Sequence, residues 1–346
     1  MPTNKSVLAV LFTLLLSLST GCVSSSSTAS NSDLLDRMDD QLPFMSKVFL
    51  WVAQFRDLEL TEENRQQANQ MTLEQKSPIA IANLASIRDM SIASEQGSIP
   101  IRVYTPEGDG LFPVFLYIHG GGWWTGNDYV TDSPMTHLAA EAKVIVVSVD
   151  YRLAPEFAYP AGFNDCYAVL EWLSRNAKSI GGDGSRIAIG GGSAGANLSA
   201  AITLKARNEA GPKIAFQYLM VPALDLSGTI KWDSMESIGT AYPVLKRWGD
   251  AAMTAYAPDP ESRLSPYVSP LLAQSFNDLP PALIVTAEFD GLRDQGVAYG
   301  EKLKQAGVPV KVVQYDDAFH AFVRSPEKLM DNISQAAVML AAVFKK

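Results

Sequence analysis

Residues 186–198, RIAIGGGSAGANL, constrain the fold of this chain more than any other stretch. The run 186–190 reads as a short buried strand, and the residues from 194 onward read as a helix. Between them Gly191-Gly192-Ser193-Ala194-Gly195 fits G-x-S-x-G, a serine on a strand-to-helix turn so sharp that its neighbours must be small. Such a turn strains the serine backbone and lifts Ser193 Oγ clear of the sheet edge. It also points the Ala194 N–H, at a helix N-terminus, toward the place where an oxyanion would form. Two other readings share the same letters. A turn of small residues need carry no chemistry. Gly190, Gly192 and Gly195 also spell G-x-G-x-x-G between strand and helix, the dinucleotide-binding pattern. The rest of the chain must separate a nucleophile from a phosphate cradle.

The flanking pattern favours an α/β sheet. Ile87, Met90 and Ile92, a turn at Glu95-Gln96-Gly97, then Ile99, Ile101 and Val103 predict an antiparallel hairpin. Strands over 114–118, 144–149, 186–189, 214–221, 282–286 and 310–315 follow. Helices over 134–142, 163–177, 194–208, 291–306 and 328–344 alternate with them. This rhythm predicts a mostly parallel, doubly wound sheet. Residues 225–278 break it, being rich in Pro, Trp and Tyr with no clear strand. They read as an insertion at the sheet's carboxyl edge, where ligands sit in such folds. Upstream, residues 33–75 are helical in pattern: Leu34, Leu35 and Met38, then Met45, Val48, Phe49 and Val52 recur at threes and fours. Thr61 before Glu62 and Glu63 reads as a cap and an acidic first turn.

The N-terminus is not part of that fold. Lys5 gives a positive start, and residues 7–18 form an apolar stretch too short to span a bilayer comfortably. Ser19-Thr20-Gly21-Cys22 then resembles the lipobox of bacterial lipoproteins, in which the cysteine becomes the lipidated first residue. It departs from that pattern in carrying Ser19 where leucine is usual. Residues 24–32 read as a polar tether. The expected division is therefore a signal peptide over 1–21, a Ser-rich tether over 22–32, helices over 33–85, and the α/β domain over 86–346. This implies a lipid-anchored protein of the cell envelope, with a secreted or periplasmic protein as the alternative. Only two cysteines exist. With Cys22 acylated, Cys166 has no intramolecular partner, and its helical neighbours Phe163, Tyr167 and Leu170 mark it as an inert packing residue. Thirty-seven acidic against 28 basic side chains, net −9, argue against nucleic acid as a partner. No Cys/His cluster has metal-ligand spacing.

Three histidines limit the choice of a catalytic base. His137 lies in a helical segment and reads as a surface or half-buried helix residue. His320 follows the last strand, on a loop from which a base could face Ser193. His119 opens His119-Gly120-Gly121-Gly122-Trp123 directly after a strand. Three glycines in a row turn without a Cβ and offer bare N–H groups to one point, as an oxyanion loop or a phosphate nest would. An acid is sought between serine and histidine. Asp290 stands on the loop after the strand in PALIVTAEFDGLRD, with Glu288 and Asp294 as competitors.

These stretches together resemble the hormone-sensitive-lipase-like esterases, the bacterial family IV carboxylesterases. HGGGW at 119–123, DYRLAPE at 150–156, GGSAGANL at 191–198, TAEFDGLRDQG at 286–296 and Phe319-His320 carry the resemblance, in the family's order. It implies an α/β-hydrolase fold with a helical cap built from the N-terminal helices and the 225–278 insertion. It also implies Ser193 as nucleophile, Asp290 as acid and His320 as base, with the N–H groups of Gly121, Gly122 and Ala194 as oxyanion donors. The substrate implied is a small ester, and the chemistry calls for no cofactor or metal. Departures exist: Gly192 stands where the family elbow usually has an acidic residue, Ala196 replaces its last glycine, and Ala321 replaces the glycine after the base. None removes a reacting group. Block 150–156 reads as structural, with Asp150 and Arg152 paired. Trp123, Trp124, Phe289, Trp232, Tyr242 and Trp248 are candidate pocket aromatics.

The expectation is a serine carboxylesterase acting on short- to medium-chain acyl esters. An acyltransferase would use the same residues. A non-catalytic ligand-binding member of the fold would usually show a broken triad, and this one is whole. The dinucleotide reading leaves HGGGW, Asp290 and His320 idle.

Overall fold

The computed structural model describes residues 31–42, 59–74, 79–95, 97–126, 132–322 and 325–345. Residues 1–30, with Cys22 and most of the tether, lie outside them, as do Met45, Val48, Phe49 and Val52. No described helix is long and apolar enough to cross a membrane.

Among the described residues eight strands form one sheet: β1 (Ser86–Ser94), β2 (Gly97–Thr105), β3 (Phe112–Ile118), β4 (Ile145–Val149), β5 (Gly182–Gly192), β6 (Gln217–Met220), β7 (Ala282–Phe289) and β8 (Val310–Phe319). Their order is β1-β2-β4-β3-β5-β6-β7-β8. The β1–β2 and β2–β4 pairs are antiparallel and the rest parallel, so the mostly parallel α/β-hydrolase sheet expected from sequence is present. The central strands are apolar on both faces because helices cover both. Val114, Leu116 and Ile118 of β3 pack on Leu170 and Leu173 of α4 (Ala161–Asn176) and on Leu198 and Ile202 of α5 (Ala194–Asn208). The alternate residues Phe115 and Tyr117 pack on Leu138 of α3 (Asp132–Ala142) and on Ile333 and Leu340 of α9 (Pro326–Phe344). Each fully buried aliphatic side chain of this kind contributes about 1.5–3 kcal/mol. Cys166 is free and buried in the first of these layers.

Helix α1 (Asn31–Gln41) and helix α2 (Glu62–Glu74) precede the sheet. Thr61 caps α2, its Oγ1 accepting the Asn64 N–H at 3.2 Å. The 225–278 stretch holds α6 (Asp233–Ala241) and α7 (Pro243–Tyr256), short 3-10 turns and no strand among its residues. Helix α8 (Arg293–Gln305) lies between β7 and β8 in the chain.

Several strand boundaries differ from the sequence reading, among them β5, which runs over Gly182–Gly192 rather than 186–189. Strand β6 pairs on both sides only over Gln217–Met220, so it is shorter than 214–221. Strands β7 and β8 run on past 286 and 315 to Phe289 and Phe319, which still face each other in the ladder. Their added residues include Glu288, Asp316 and Asp317, whose polarity ended the apolar pattern. The charges of Glu288 and Asp317 are met by Arg37 of α1, far away in sequence.

Candidate active site

Four strands end at the same sheet edge, and each delivers one functional stretch within a residue or two. Strand β5 leads into Ser193, β7 into Asp290, β8 into His320 and β3 into the glycine loop at His119. The elbow is set by exclusion of bulk. Ser193 has φ 55° and ψ −114°, a strained conformation for a residue with a side chain. Its N–H donates to Met220 O at 2.8 Å, tying the turn to the end of β6. A Cβ at position 195 would stand 2.0 Å from the Ile118 carbonyl oxygen, so only glycine lets α5 start this close to β3. Of the glycines of the dinucleotide reading, Gly195 thus serves close packing of helix on strand, and Gly190 close packing against β6, where a Cβ would stand 2.4 Å from Tyr218 O. A side chain at Gly192, the acidic position of related elbows, would meet the Met220 methyl at 2.9 Å.

His320 Nε2 lies 2.9 Å from Ser193 Oγ, and His320 Nδ1 lies 2.8 Å from Asp290 Oδ2. A carboxylate only accepts, so Nδ1 carries the proton and Nε2 is free to accept from the serine. Asp290 is 4% exposed, and its Oδ1 accepts the Leu292 N–H at 2.9 Å. Partial burial pulls the imidazole below its ordinary 6.5, but the adjacent Asp290 charge and hydrogen bond outweigh it, leaving His320 raised. His320 keeps a solvent-facing edge, at 38% exposed. An imidazole so held can take the serine proton. Ala321 has φ 55°, a left-handed conformation that suits the glycine usual there.

The two competitor acids are engaged elsewhere. Glu288 bonds Arg37 and accepts the Asp317 N–H at 2.8 Å. Asp294 sits in the first turn of α8, where the sequence would have it interact with that helix's own free N–H groups. Instead its Oδ2 accepts the Ser234 N–H at 2.8 Å, at the start of α6, while its own N–H donates to Ser234 Oγ at 3.3 Å. It caps a neighbouring helix.

In the glycine loop, Gly121 (φ 114°) and Gly122 (φ 62°) are both left-handed. The turn is closed by the Thr125 N–H donating to Gly121 O at 3.0 Å. Among the described residues no other backbone carbonyl takes the N–H groups of Gly121, Gly122 or Ala194. The loop's base is buried. Burial pushes the His119 imidazole down and the Asp150 carboxyl up. His119 stacks on Tyr151 at 4.4 Å, and Tyr151 Oη donates to His119 O at 3.0 Å. Block 150–156 therefore holds this loop, but not through the Asp150–Arg152 pair expected from sequence. Arg152 is gripped by buried Asp165 on α4, with contacts at 2.7 and 2.8 Å, because that carboxylate meets the guanidinium fork and the Arg152 N–H together. His137 is half-buried on α3, its Nε2 2.9 Å from Ala80 O. Among the described residues no three His, Cys, Asp or Glu side chains form a metal-ligand group.

Of the candidate aromatics, Trp248 of α7 meets the glycine loop: a Cβ on Gly122 would stand 2.7 Å from its ring. The others are occupied in packing. Trp124 is fully buried with Ala68, Trp123 stacks on Tyr256 at 4.6 Å, and Phe289 packs on Phe319. Tyr242 Oη bonds Asp39, and Trp232 Nε1 bonds Asp225. Sequence reasoning gave no role to Arg37, Arg65 or Asn69 on α1 and α2, although all three reach residues flanking the site. They are ordinary polar residues on amphipathic helices, and no local pattern marks them.

A serine–imidazole–carboxylate relay and a glycine loop, both at the carboxyl edge of this sheet, define the α/β-hydrolase class. A family model described as the alpha/beta hydrolase fold matches residues 115–324. The chain is 35% identical to an arylesterase of Saccharolobus solfataricus, over 82% of this chain and 90% of that one. It is 38% identical to a carboxylic ester hydrolase of Mycobacterium tuberculosis, over 68% of this chain and 64% of that one. It is similar in structure to an ester hydrolase from the metagenome of Lake Arreo in complex with a bipyridine phosphonate derivative. The TM-score is 0.78 and the identity 31%, covering 91% of this chain and 98% of that one. The chain belongs to the alpha/beta hydrolase family, among its esterases.

Proposed function

We propose that this enzyme is a serine carboxylesterase that hydrolyses short- to medium-chain acyl esters through an acyl-enzyme. The observation that carries the reading is the continuous relay Ser193–His320–Asp290 at 2.9 and 2.8 Å. Ser193 Oγ attacks the ester carbonyl carbon while its proton passes to His320 Nε2, and Asp290 stabilises the imidazolium. The carbonyl oxygen, now negative, accepts from the N–H groups of Gly121, Gly122 and Ala194. The ester C–O bond breaks, and His320 returns the proton to the departing alkoxide, which leaves as alcohol. Water then gives a proton to His320 and attacks the acyl carbon. Collapse releases the carboxylic acid and restores Ser193. The esterase relatives support this class of substrate. A cap helix lying directly on Gly122 through Trp248 supports a compact acyl site of roughly two to eight carbons rather than a long groove.

The test is hydrolysis of p-nitrophenyl esters of graded chain length, with and without a serine-directed phosphonate. Acetate to octanoate should be the best substrates, and the phosphonate should label Ser193 alone. Faster turnover of emulsified long-chain triglyceride would overturn the chain-length reading, and labelling of another serine would overturn the nucleophile. Adding an alcohol and separating ester from acid products tests for acyl transfer.

The leader pattern supports a lipid-anchored envelope enzyme whose mature chain begins at Cys22. Cys22→Ser should then release soluble enzyme with unchanged turnover. Wild-type protein found soluble with another N-terminus would refute the anchor.

A further inference from the structure

Helices α1 and α2 each grip a different half of the catalytic machinery. Arg37 of α1 reaches the ends of β7 and β8. Its Nη1 lies 2.9 Å from Asp317 Oδ1 and 3.1 Å from Glu288 Oε2, and its Nη2 bonds Glu288 Oε1. Glu288 is two residues before Asp290, and Asp317 is three before His320. The guanidinium also lies over the Phe289 ring, 5.6 Å from its centroid, and Leu34 and Met38 of α1 pack with Phe289 and Phe319.

This contact falls where the sheet itself stops setting the spacing. The β7–β8 register runs regularly to Ala287↔Tyr315, then shifts, and resumes at Phe289↔Phe319. One residue of β7 therefore opposes three of β8. Asp317, within that excess, has φ 51°. Beyond the break only the single pair Phe289↔Phe319 joins the strands next to Asp290 and His320. The side chain of Arg37, joined to Glu288 and Asp317 together, bridges the break itself.

Helix α2 holds the oxyanion side in the same manner. Arg65 Nε donates to Trp124 O at 2.7 Å, and its Nη2 donates to Ala154 O at 2.9 Å and to Glu156. Asn69 Oδ1 accepts the Gly126 N–H at 3.0 Å and the Thr125 hydroxyl. Residues 124–126 close the turn whose crest is Gly121 and Gly122, so fixing its far end fixes the crest.

We propose that α1 and α2 form a two-part positioning clasp, Arg37 setting the acid–base pair and Arg65 with Asn69 setting the oxyanion loop. The inference rests on the esterase reading of Ser193, His320 and Asp290. None of the three clasp residues is catalytic, since each acts through residues beside the reacting groups. The clasp makes the docking of the N-terminal segment a condition for catalysis, through two separable effects.

The charges around the first arm give it a distinct signature. Arg37 faces Glu288 and Asp317, with Asp33 3.5 Å away on its own helix. Arg293 Nη1 bonds Glu288 O, and Lys328 bonds the Asp316 and Asp317 carbonyls. Removing Arg37 takes away the cation bonded to both carboxylates, leaving Arg293 and Lys328 beside them, and so makes the surroundings of His320 more negative. That favours the imidazolium, so the acidic limb of the rate profile moves to higher pH. Arg65 lies on the other arm and predicts no such movement.

The experiment is steady-state hydrolysis of p-nitrophenyl butyrate across pH on the full chain, normalised to sites titrated with a phosphonate. Arg37→Met should lower kcat per titrated site by about tenfold to a hundredfold, the scale of a misplaced catalytic pair. It should raise the acidic limb by about half a pH unit. Arg37→Lys keeps the charge but not the two-pronged contact, so it should restore the limb and only part of kcat. Arg65→Met should lower kcat and kcat/KM together by a similar factor, with the limb unmoved. Wild-type kcat per site and an unmoved limb in Arg37→Met would overturn the proposal. So would identical profiles in the Arg37 and Arg65 variants, which would mean general loosening. Should Arg37→Met give no titratable sites, Arg37→Lys decides: reduced kcat with a wild-type limb supports the clasp, and full kcat overturns it. Failure of the phosphonate to label Ser193 in the wild type would instead overturn the underlying esterase reading.

Discussion

The elbow at Ser193 and the strand ends at Asp290 and His320 contribute to one relay, yet they are built by different means. The elbow is made almost entirely by residues adjacent in the chain. Glycine at 195 lets α5 start against the Ile118 carbonyl, and the resulting turn holds Ser193 at φ 55° and ψ −114°. The acid and base are 30 residues apart, on strands whose register shifts just before they are reached. Their spacing depends on a guanidinium 251 residues upstream of Glu288. Steric exclusion builds the first region and compensated charge the second. The first should therefore fail by clash and the second by electrostatics.

The largest expected effect tests whether both regions serve one reaction. Ser193→Ala removes the hydroxyl without disturbing the packing, and turnover should fall by on the order of 10⁶ with the thermal midpoint nearly unchanged. Retained turnover would separate the elbow from the chemistry. Next is Asp290→Asn, which should cut turnover by about 10⁴. The pH dependence has a defined sign. On the proposed mechanism the working base is the neutral imidazole, and the Asp290 charge raises His320 above its ordinary value of 6.5. Activity should therefore fall as pH drops through that raised value. Without the carboxylate, burial acts alone, and the residual activity should persist to lower pH. A limb that moves upward in Asp290→Asn would contradict this account.

Gly195→Ala tests the steric half. A methyl 2.0 Å from a backbone carbonyl has no flexible neighbour to displace. Stability should drop by roughly 1–3 kcal/mol. Turnover should fall by about 10² or more as the oxyanion donors shift. Thermal melts with active-site titration separate the two losses, and a variant with wild-type melting and rate would show that the elbow tolerates bulk. The smallest effect belongs to Asp294→Asn, which weakens the cap on α6 and should cost about 0.3–1 kcal/mol with little change in rate. An inactive Asp294 variant with an active Asp290 variant would reverse the assignment of the acid.

The sequence by itself determined the sheet, the elbow, the glycine loop and the order of the reacting residues. Each is a local statement: an apolar run buried on both faces, a turn that admits only small residues, a motif placed just past a strand. It also narrowed the acid to three carboxylates within seven residues. Only the tertiary structure decided which of them meets His320, because all three lie near one strand end and differ in what reaches them from elsewhere. Arg37 takes Glu288, the N-terminus of α6 takes Asp294, and His320 takes Asp290. The same holds for Arg152, which found Asp165 rather than Asp150, and for the extensions of β7 and β8, whose Glu288 and Asp317 are met by Arg37 of α1. Hydrophobic periodicity and steric demand repeat along the chain and can be read there. The partner of a buried charge is chosen by proximity in three dimensions, and no spacing in one dimension records it.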